Sequence, residues 1–588
     1  MVPVLKLGKA TDQAASYRPV SLLCLEIKVL ERLLLPTLKA SLSLAPSKHG
    51  FWKNRSTVTA LMPVATAVAQ GFNRPKPATQ TGLPCVDLSK TFDMVEHATL
   101  LRKIGFTDLH PNIKRWLVTY LRDRKIRCLF GGSHSRWRKM RVGVPQGSVS
   151  SPCLFNFFVN TVTAPSAPIN ESYADDFHAA AQDVSPQVIA DSLSAAAEEI
   201  SAQSTELRMP LLPAKSTVTL FTPWTKQFGR LPDVRVGNDV IPQDNNPKLL
   251  GVIFDPTFTF CNHAAATARK ASRRLNVLRA VADTSFGHDK ECLTMTFKGL
   301  IRPFFDYAAP IVYPNYSPTS LRRLQLIQNK SLRLITGCHS AAAQDHLHDE
   351  TQVLPVARHL HLLSAQFLAR ALQPSHPSHE WVASAESQRR MKETLRTSCW
   401  SDVEPYLVNG TLPHGELKNT LTQIHTKVVT DSTAALGDNR VLQARPPAIH
   451  PSEKILPRLS RAVLSQLRSG HCSRLNDFRF RIGASDSALC PDCRTTDASA
   501  SHLFNCSSHP TSLGVRDLWE KPWDAANFLA GIPAFSDLPD PGPPPPPPPP
   551  LLRPSVRPPP EPPPSPSLSP SSSSGDFSTL IVNSSREE

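Results

Sequence analysis

The sequence predicts a multidomain α+β protein, and three observations carry that prediction. Two aspartate segments lie in apolar surroundings within the first third of the chain, Val86-Asp87-Leu88-Ser89-Lys90-Thr91-Phe92-Asp93 and Tyr173-Ala174-Asp175-Asp176. From about residue 260 the apolar residues change to helical spacing, as in Leu321, Leu324, Ile327, Leu332 and Ile335. A length of 588 residues exceeds what one core can organise, and a hydrophobic share of 40% is adequate for globular folding.

The first element is the most apolar stretch, Val20 to Leu44. Glu26, Lys28, Glu31, Arg32 and Lys39 interrupt it, so it reads as an amphipathic helix rather than a membrane span. Leu83, Cys85 and Val86 precede the first aspartate, and Phe177 with a run of alanines follows the second pair, so each carboxylate sits on or beside a strand. Such carboxylates repel one another unless a cation lies between them. Mg²⁺ is the hard ion that couples carboxylates to substrate phosphates. Two such ions roughly 4 Å apart activate an attacking hydroxyl and stabilise a leaving pyrophosphate. With Val144-Pro145-Gln146-Gly147-Ser148 between them, the aspartate segments read as a polymerase active site; Tyr173 to Asp176 taken alone also fits a hairpin turn with solvated carboxylates.

Charge agrees with a polyanionic partner. Lys and Arg number 65 against 49 Asp and Glu, a formal +16. Arg122, Arg124, Lys125 and Arg127, then Arg136, Arg138, Lys139 and Arg141, bracket Phe130-Gly131-Gly132 as a basic hairpin able to track a phosphate backbone, or as an exposed turn with solvated charges. Arg269, Lys270, Arg273, Arg274 and Arg279 fall on an expected helix. Gly337 is its successor helix's stop signal, and Leu360, Leu362, Leu363, Phe367, Leu368 and Leu372 continue the helical pattern. From Gln373 to about Pro457 polar residues and prolines dominate.

Cys490-Pro491-Asp492-Cys493 with His502 and Cys506 is the spacing of a small zinc knuckle, whose three thiolates and one imidazole close a tetrahedron; a set of buried or free cysteines is the alternative. His471 and Cys472 are lower-ranked ligands. After Asp540 an almost unbroken proline run, then serines, cannot bury a core and is expected to be disordered with polyproline II character. The start of the chain carries no secretory signal. The 12 cysteines read as reduced thiols, so the expected location is intracellular, in cytoplasm or nucleus, with no membrane partner.

The ordered blocks resemble the reverse transcriptases of non-LTR (LINE-type) retrotransposons, and within them the jockey-like group. Val2 to Lys6 with Gly8-Lys9, Tyr17-Arg18-Pro19-Val20-Ser21-Leu22-Leu23, and His49-Gly50-Phe51 with Asn54 to Thr57 precede the first aspartate segment. Gly143 to Ser148 with Ser151-Pro152, the Tyr-Ala-Asp-Asp segment, Pro213-Ala214-Lys215-Ser216 and Lys248 to Val252 follow in family order. Leu467 to Gly470 and His502 to Cys506 look like the C-terminal segment of jockey-like elements.

The resemblance implies a right-hand polymerase with an antiparallel palm sheet: fingers and palm over 1–260, a helical thumb over 261–345, a helical connector over 346–465, a zinc-knuckle segment over 466–512 and a disordered Pro/Ser-rich tail over 535–588. It implies RNA-directed DNA synthesis from dNTPs on an RNA template with a DNA primer, using two Mg²⁺ ions. Asp87 and Asp175 would ligate the metals with Asp176 in support, and Lys215 would neutralise or protonate the leaving pyrophosphate. Phe92 would exclude a 2′-hydroxyl, Gln146 and Gly147 would contact nucleotide or template, and Arg18 would meet the triphosphate. Arg124, Lys125, Arg127, Arg136, Arg138, Lys139 and Arg141 would hold nucleic acid, as the zinc knuckle would. Complete elements carry an endonuclease ahead of the polymerase, and the chain is expected to be truncated without it. Two other readings stand beside this one. A catalytically inactive relic would only bind nucleic acid; a group II intron-type maturase is disfavoured by the Tyr17 to Leu23 block and the knuckle.

Overall fold

The chain begins with an antiparallel pair, β1 (Val2–Leu5) and β2 (Tyr17–Val20), followed by helices Leu25–Ser41 and Thr57–Asn73. The second of these helices is closed by a capping box between Ser56 and Thr59. Strand β3 (Gln80–Asp87) then enters the centre, and a hairpin of four short strands, β4 (Lys125–Ile126) to β7 (Arg138–Lys139) with β5 (Leu129–Phe130) and β6 (Ser133–His134), projects from the fold. β8 (Ile169–Tyr173), β9 (Asp176–Asp183) and β10 (Thr217–Phe221) complete an antiparallel sheet of order β10-β3-β9-β8. This is a computed structural model, which describes residues 1–6, 8–88, 91–283, 287–384, 391–413 and 415–543.

Alternation along β9 explains why the sheet is covered on both faces. His178 and Gln182 reach the carbonyls of Ala60 and Ala67 on helix Thr57–Asn73. Ala180 shares their face, and Ala181 turns the other way to share a core with Ile189, Ala190 and Leu193 of helix Pro186–Glu206. Burial on both faces makes β9 a nearly continuous apolar run, Phe177 and then Ala179 to Ala181.

The amphipathic helix expected within Val20–Leu44 forms as Leu25–Ser41, with its faces used unexpectedly. Leu25 and Leu33 are more than 70% exposed, whereas Glu31 is fully buried. Past the sheet, helix Cys261–Val281 buries Ala264, Ala268, Ala271, Leu275 and Leu278 and turns all five of its predicted basic residues to solvent. Helix Pro318–Thr336 buries Leu324, Leu332 and Ile335 and ends on Gly337 at φ 74°, the left-handed cap its sequence announced. The polar, proline-containing stretch Gln373 to Pro457 carries helices His379–Ala383, Leu395–Val403 and Leu417–Ala434. Ile424 and Val428 of the last one join the same core as Leu360 and Leu368.

Met1–Gly542 pack as one compact unit, and Pro543–Glu588 are a second of which only Pro543 is described. The boundary expected at 535 is corrected: Phe535 and Leu538 are buried in one core with Leu464, Trp519 and Leu529, so apolar packing continues through the first four residues of the supposed tail. The proline and serine run from 544 lies outside the described residues. Among the described residues no helix is long and apolar enough to cross a membrane, and all 12 cysteines are free thiols.

Candidate active site and metal cluster

The register of the sheet assembles the three aspartates. Asp87 at the end of β3 lies directly opposite Asp176 at the start of β9. β8 and β9 pair Tyr173 with Asp176, leaving Ala174 and Asp175 as a two-residue hairpin loop. Ala174 has φ 57°, the positive value at the first loop position that suits hairpin twist. The His-Gly-Phe block backs this loop: His49 N–H donates to the Ser172 carbonyl at 2.8 Å, and a Cβ on Gly50 would meet the Ala174 nitrogen at 2.6 Å. His49 is itself held between Glu171 and Thr59, 2.8 Å from each.

On the opposite side of Asp87, β10 carries Lys215 in. Leu212 N–H donates to the Asp87 carbonyl at 3.0 Å, and the Asp87 N–H donates to the Ser216 hydroxyl at 3.1 Å. Lys215 is exposed and its charge acts on Asp87. Burial raises the Asp87 carboxyl above its usual range, Lys215 opposes the rise and Asp175 adds to it. Asp176 opens to solvent on one side but sits low in the cleft; that partial desolvation, then the charges of Asp175 and Asp87, push its carboxyl up to about 6. Crowded hard-oxygen donors that resist ionising together fit a divalent cation of the Mg²⁺ class.

Four aromatic rings pack beside the carboxylates. Phe92 stacks on Phe155 at 4.3 Å between centroids, Phe51 meets Phe92 edge-on at 6.3 Å, and Phe51 lies 6.4 Å from Tyr173. The Pro-Gln-Gly loop is pinned from two directions. Gln146 Nε2 donates to Asp93 Oδ1 at 3.0 Å, and Ser21 N–H donates to the Gln146 carbonyl at 2.7 Å. Gly147, at φ 113°, brings its backbone so close to the Ser21 carbonyl that a Cβ would stand 2.7 Å from it. Arg18 is exposed on β2, three residues before Ser21.

Two residues of this site escaped the sequence reading. Glu31, taken there as a polar interruption, is fully buried beneath the Pro-Gln-Gly loop. It accepts from the hydroxyls of Ser148 at 2.6 Å and Ser150 at 3.0 Å and from Val149 N–H at 2.8 Å. A lone acid inside an apolar helical run was the available signal. Trp137, 60% exposed on the hairpin with Arg127 4.8 Å above its ring, is the other, and its signal was an aromatic between Arg136 and Arg138.

The basic segment is a hairpin, as the sequence implied. Arg127, Arg136, Arg138, Lys139 and Arg141 are exposed, as is Lys125, while Arg124 is half-buried against the Tyr120 ring at 4.8 Å. Lys139 pairs with Asp123, so one cation of the group is neutralised locally.

Far along the chain, Cys490, Cys493, His502 and Cys506 place one ligand atom each within 4.8 Å of the others. Cys490 and Cys506 sulfurs are 3.9 Å apart, and Cys493 Sγ is 3.4 Å from His502 Nε2. Hydrogen bonds from the Thr495 hydroxyl, at 3.1 Å, and backbone pull the Cys493 thiol down to about 6, which readies a thiolate for a metal. His471 and Cys472 stay outside this cluster: His471 packs edge-on to Phe478 and Cys472 belongs to the neighbouring apolar core.

Comparison with known proteins agrees with this geometry. The family model "Reverse transcriptase (RNA-dependent DNA polymerase)" matches residues 7–254. The chain is 26% identical over 400 residues to the "Probable RNA-directed DNA polymerase from transposon BS" of Drosophila melanogaster, covering 63% of this chain and 43% of that protein. It is 25% identical over 349 residues to the "RNA-directed DNA polymerase from mobile element jockey" of Drosophila funebris, covering 57% and 37%. It thus spans less than half the length of these curated relatives. Among solved structures, a telomerase from Candida tropicalis with a telomeric RNA fragment aligns over 61% of this chain and 56% of its own at 10% identity, with a TM-score of 0.29.

Proposed function

Residues 7–254 belong to the reverse transcriptase family, and from this premise we propose that the chain is the RNA-directed DNA polymerase of a jockey-like, non-LTR retrotransposon. A primer 3′-hydroxyl attacks the α-phosphate of a dNTP paired to an RNA template, and pyrophosphate leaves. The observation that carries this reading is the pairing of Asp87 with Asp176 beside the Ala174-Asp175 loop, which gathers three carboxylates at one strand end next to Lys215. Asp87, Asp175 and Asp176 would hold two Mg²⁺ ions, which would polarise the phosphate and make the attacking hydroxyl more acidic.

The protein's own groups position the reactants. Phe92, clamped on Phe155, presents a ring that cannot swing aside for a 2′-hydroxyl. Gln146, anchored by Asp93, leaves the Gly147 backbone as the close surface for nucleotide or template. Lys215, whose charge acts on Asp87, would neutralise or protonate the departing pyrophosphate, and exposed Arg18 would meet the triphosphate. The basic hairpin tracks the template backbone, and the basic face of helix Cys261–Val281 holds the duplex. Cys490, Cys493, His502 and Cys506 hold zinc: sulfurs 3.9 Å apart suit a tetrahedron with Zn–S bonds of about 2.3 Å.

Primer extension on poly(rA)/oligo(dT) with Mg²⁺ and dTTP tests the proposal. The parent chain should extend the primer and the Asp175→Ala, Asp176→Ala double variant should not. No extension by the parent, with salt-sensitive RNA binding retained, would make the chain a binding relic instead.

A further inference from the structure

Beside the metal cluster the fold leaves a pocket of about 350 Å³, at the small end of the range of ligand sites. Its floor is apolar, built from Leu467, Cys472, Leu475 and Phe478. Its rim is polar: Arg440 and Gln443 on one side, Asp477 and Arg481 on another, Ser499 and Ser501 on the third.

Each wall is held in place by contacts of its own. Asn439 donates to the Arg468 carbonyl at 3.0 Å and accepts from Val441 N–H at 2.8 Å, which fixes the Arg440 loop on helix Arg458–Ser469. Arg481 donates to the Gly470 carbonyl at 2.7 Å and to Asp477 at 3.1 Å, with its guanidinium 5.3 Å from the Phe478 ring. The third wall is the start of helix Ala500–Leu503, the same turn that delivers His502 to the metal cluster. A metal held by this cluster would therefore fix the position of Ser501 at the rim.

We propose that this pocket takes one splayed-out nucleotide of a single-stranded nucleic acid. The base lies on the apolar floor, its edge meets Asp477, Gln443 and Ser501, and the flanking phosphate meets Arg440. A pocket this small admits a single base and excludes a duplex, and with Arg481 paired to Asp477 it is Arg440 that favours a phosphate. The inference rests on the nucleic-acid reading of the chain and assigns that reading a specific subsite away from the polymerase carboxylates.

The test uses the full chain with fluorescein-labelled U15 RNA and dT15 DNA, read by anisotropy at fixed salt, with metal content measured on each sample. Arg440→Glu removes the phosphate contact, and Ser501→Trp fills the pocket without changing charge. Val441→Trp fills it from the opposite wall, away from the metal ligands, and answers the question if Ser501→Trp loses its metal. The expected result is binding weakened about tenfold by Arg440→Glu and by a filling variant that keeps one metal per chain. Loss on U15 alone assigns the pocket to RNA, and loss on both probes assigns it to single strands of either sugar. Filling variants that keep their metal and bind within twofold of the parent would overturn the pocket, including when Arg440→Glu alone weakens binding. Primer extension by the parent chain, run in parallel, fails separately if the polymerase reading is wrong.

Discussion

Glu31 shows how one buried carboxyl group holds the Pro-Gln-Gly loop. Its two carboxylate oxygens take three hydrogen bonds from Ser148, Val149 and Ser150, and Tyr120 adds a fourth polar contact by donating to Ser148 at 2.9 Å. Glu31→Ala leaves two hydroxyls and an amide without their acceptor, a cost on the order of 3 kcal/mol. The expected outcome is a dTTP KM raised about tenfold, because Gln146 and Gly147 lose their footing; titrating dTTP in the extension assay measures it. Phe92 acts differently, through its own bulk. Phe92→Val removes the stack on Phe155 at a cost of about 2 kcal/mol. It should also cut the preference for dTTP over UTP at least about tenfold, read as the ratio of kcat/KM values on the same template.

At the scale of elements, the basic hairpin and the aspartate hairpin serve opposite ends. The aspartate hairpin is short, braced by His49 and Gly50, and sits on a covered sheet, so its carboxylates are held still. The basic hairpin instead turns its charges to solvent, tied midway by the Met1 amino group, which donates to the Arg127 carbonyl at 2.7 Å, and near its tip by Tyr17 against Phe130. If its exposed arginines meet a phosphate backbone as proposed, they bind by counterion release. Arg136→Ala and Arg138→Ala should each flatten the slope of log Kd against log salt for single-stranded RNA by about 0.7. Trp137→Ala should weaken binding at every salt concentration with the slope unchanged, since stacking displaces no counterions.

At the scale of the molecule, a buried ion network joins the helices after the sheet to the segment that carries the metal cluster. Arg468, fully buried, lies 3.1 Å from Glu350 and 2.6 Å from Glu453, and donates to the Leu518 carbonyl at 2.9 Å. Lys290 reaches the same two glutamates at 2.7 and 3.3 Å. Burial alone would raise the Glu350 carboxyl, but Lys290, Arg468 and His346 overcome it and hold the group well below its ordinary 4.5. A depressed carboxyl contributes stability above its unfolded-state value and loses it as pH falls toward the folded-state one. Thermal unfolding midpoints should therefore drop as pH goes from 5 to 3. Glu350→Gln should cost about 3–5 kcal/mol at neutral pH, by leaving Lys290 and Arg468 to share the single carboxylate of Glu453, and should show a shallower acid decline. Differential scanning calorimetry across that range distinguishes the two.

The polymerase blocks were legible because each is a local signal: an aspartate in an apolar strand, a turn with its glycine, a Cys-x-x-Cys knuckle. Helix Pro318–Thr336 and its Gly337 cap were legible for the same reason, since period and stop lie within one element. The stretch Gln373 to Pro457 was not. Its helices gain their order from Ile424 and Val428 packing on Leu360 and Leu368, partners more than fifty residues away. The sequence by itself supplied the family resemblance and marked the three carboxylates and the Cys-His cluster as candidates, because those depend on residue type and short spacing. Only the tertiary structure decided that Glu31 turns inward, that apolar packing runs on to Leu538, and that a pocket opens beside the cluster. Those outcomes depend on which distant surface meets each residue, and a one-dimensional pattern of polar and apolar positions carries no record of that.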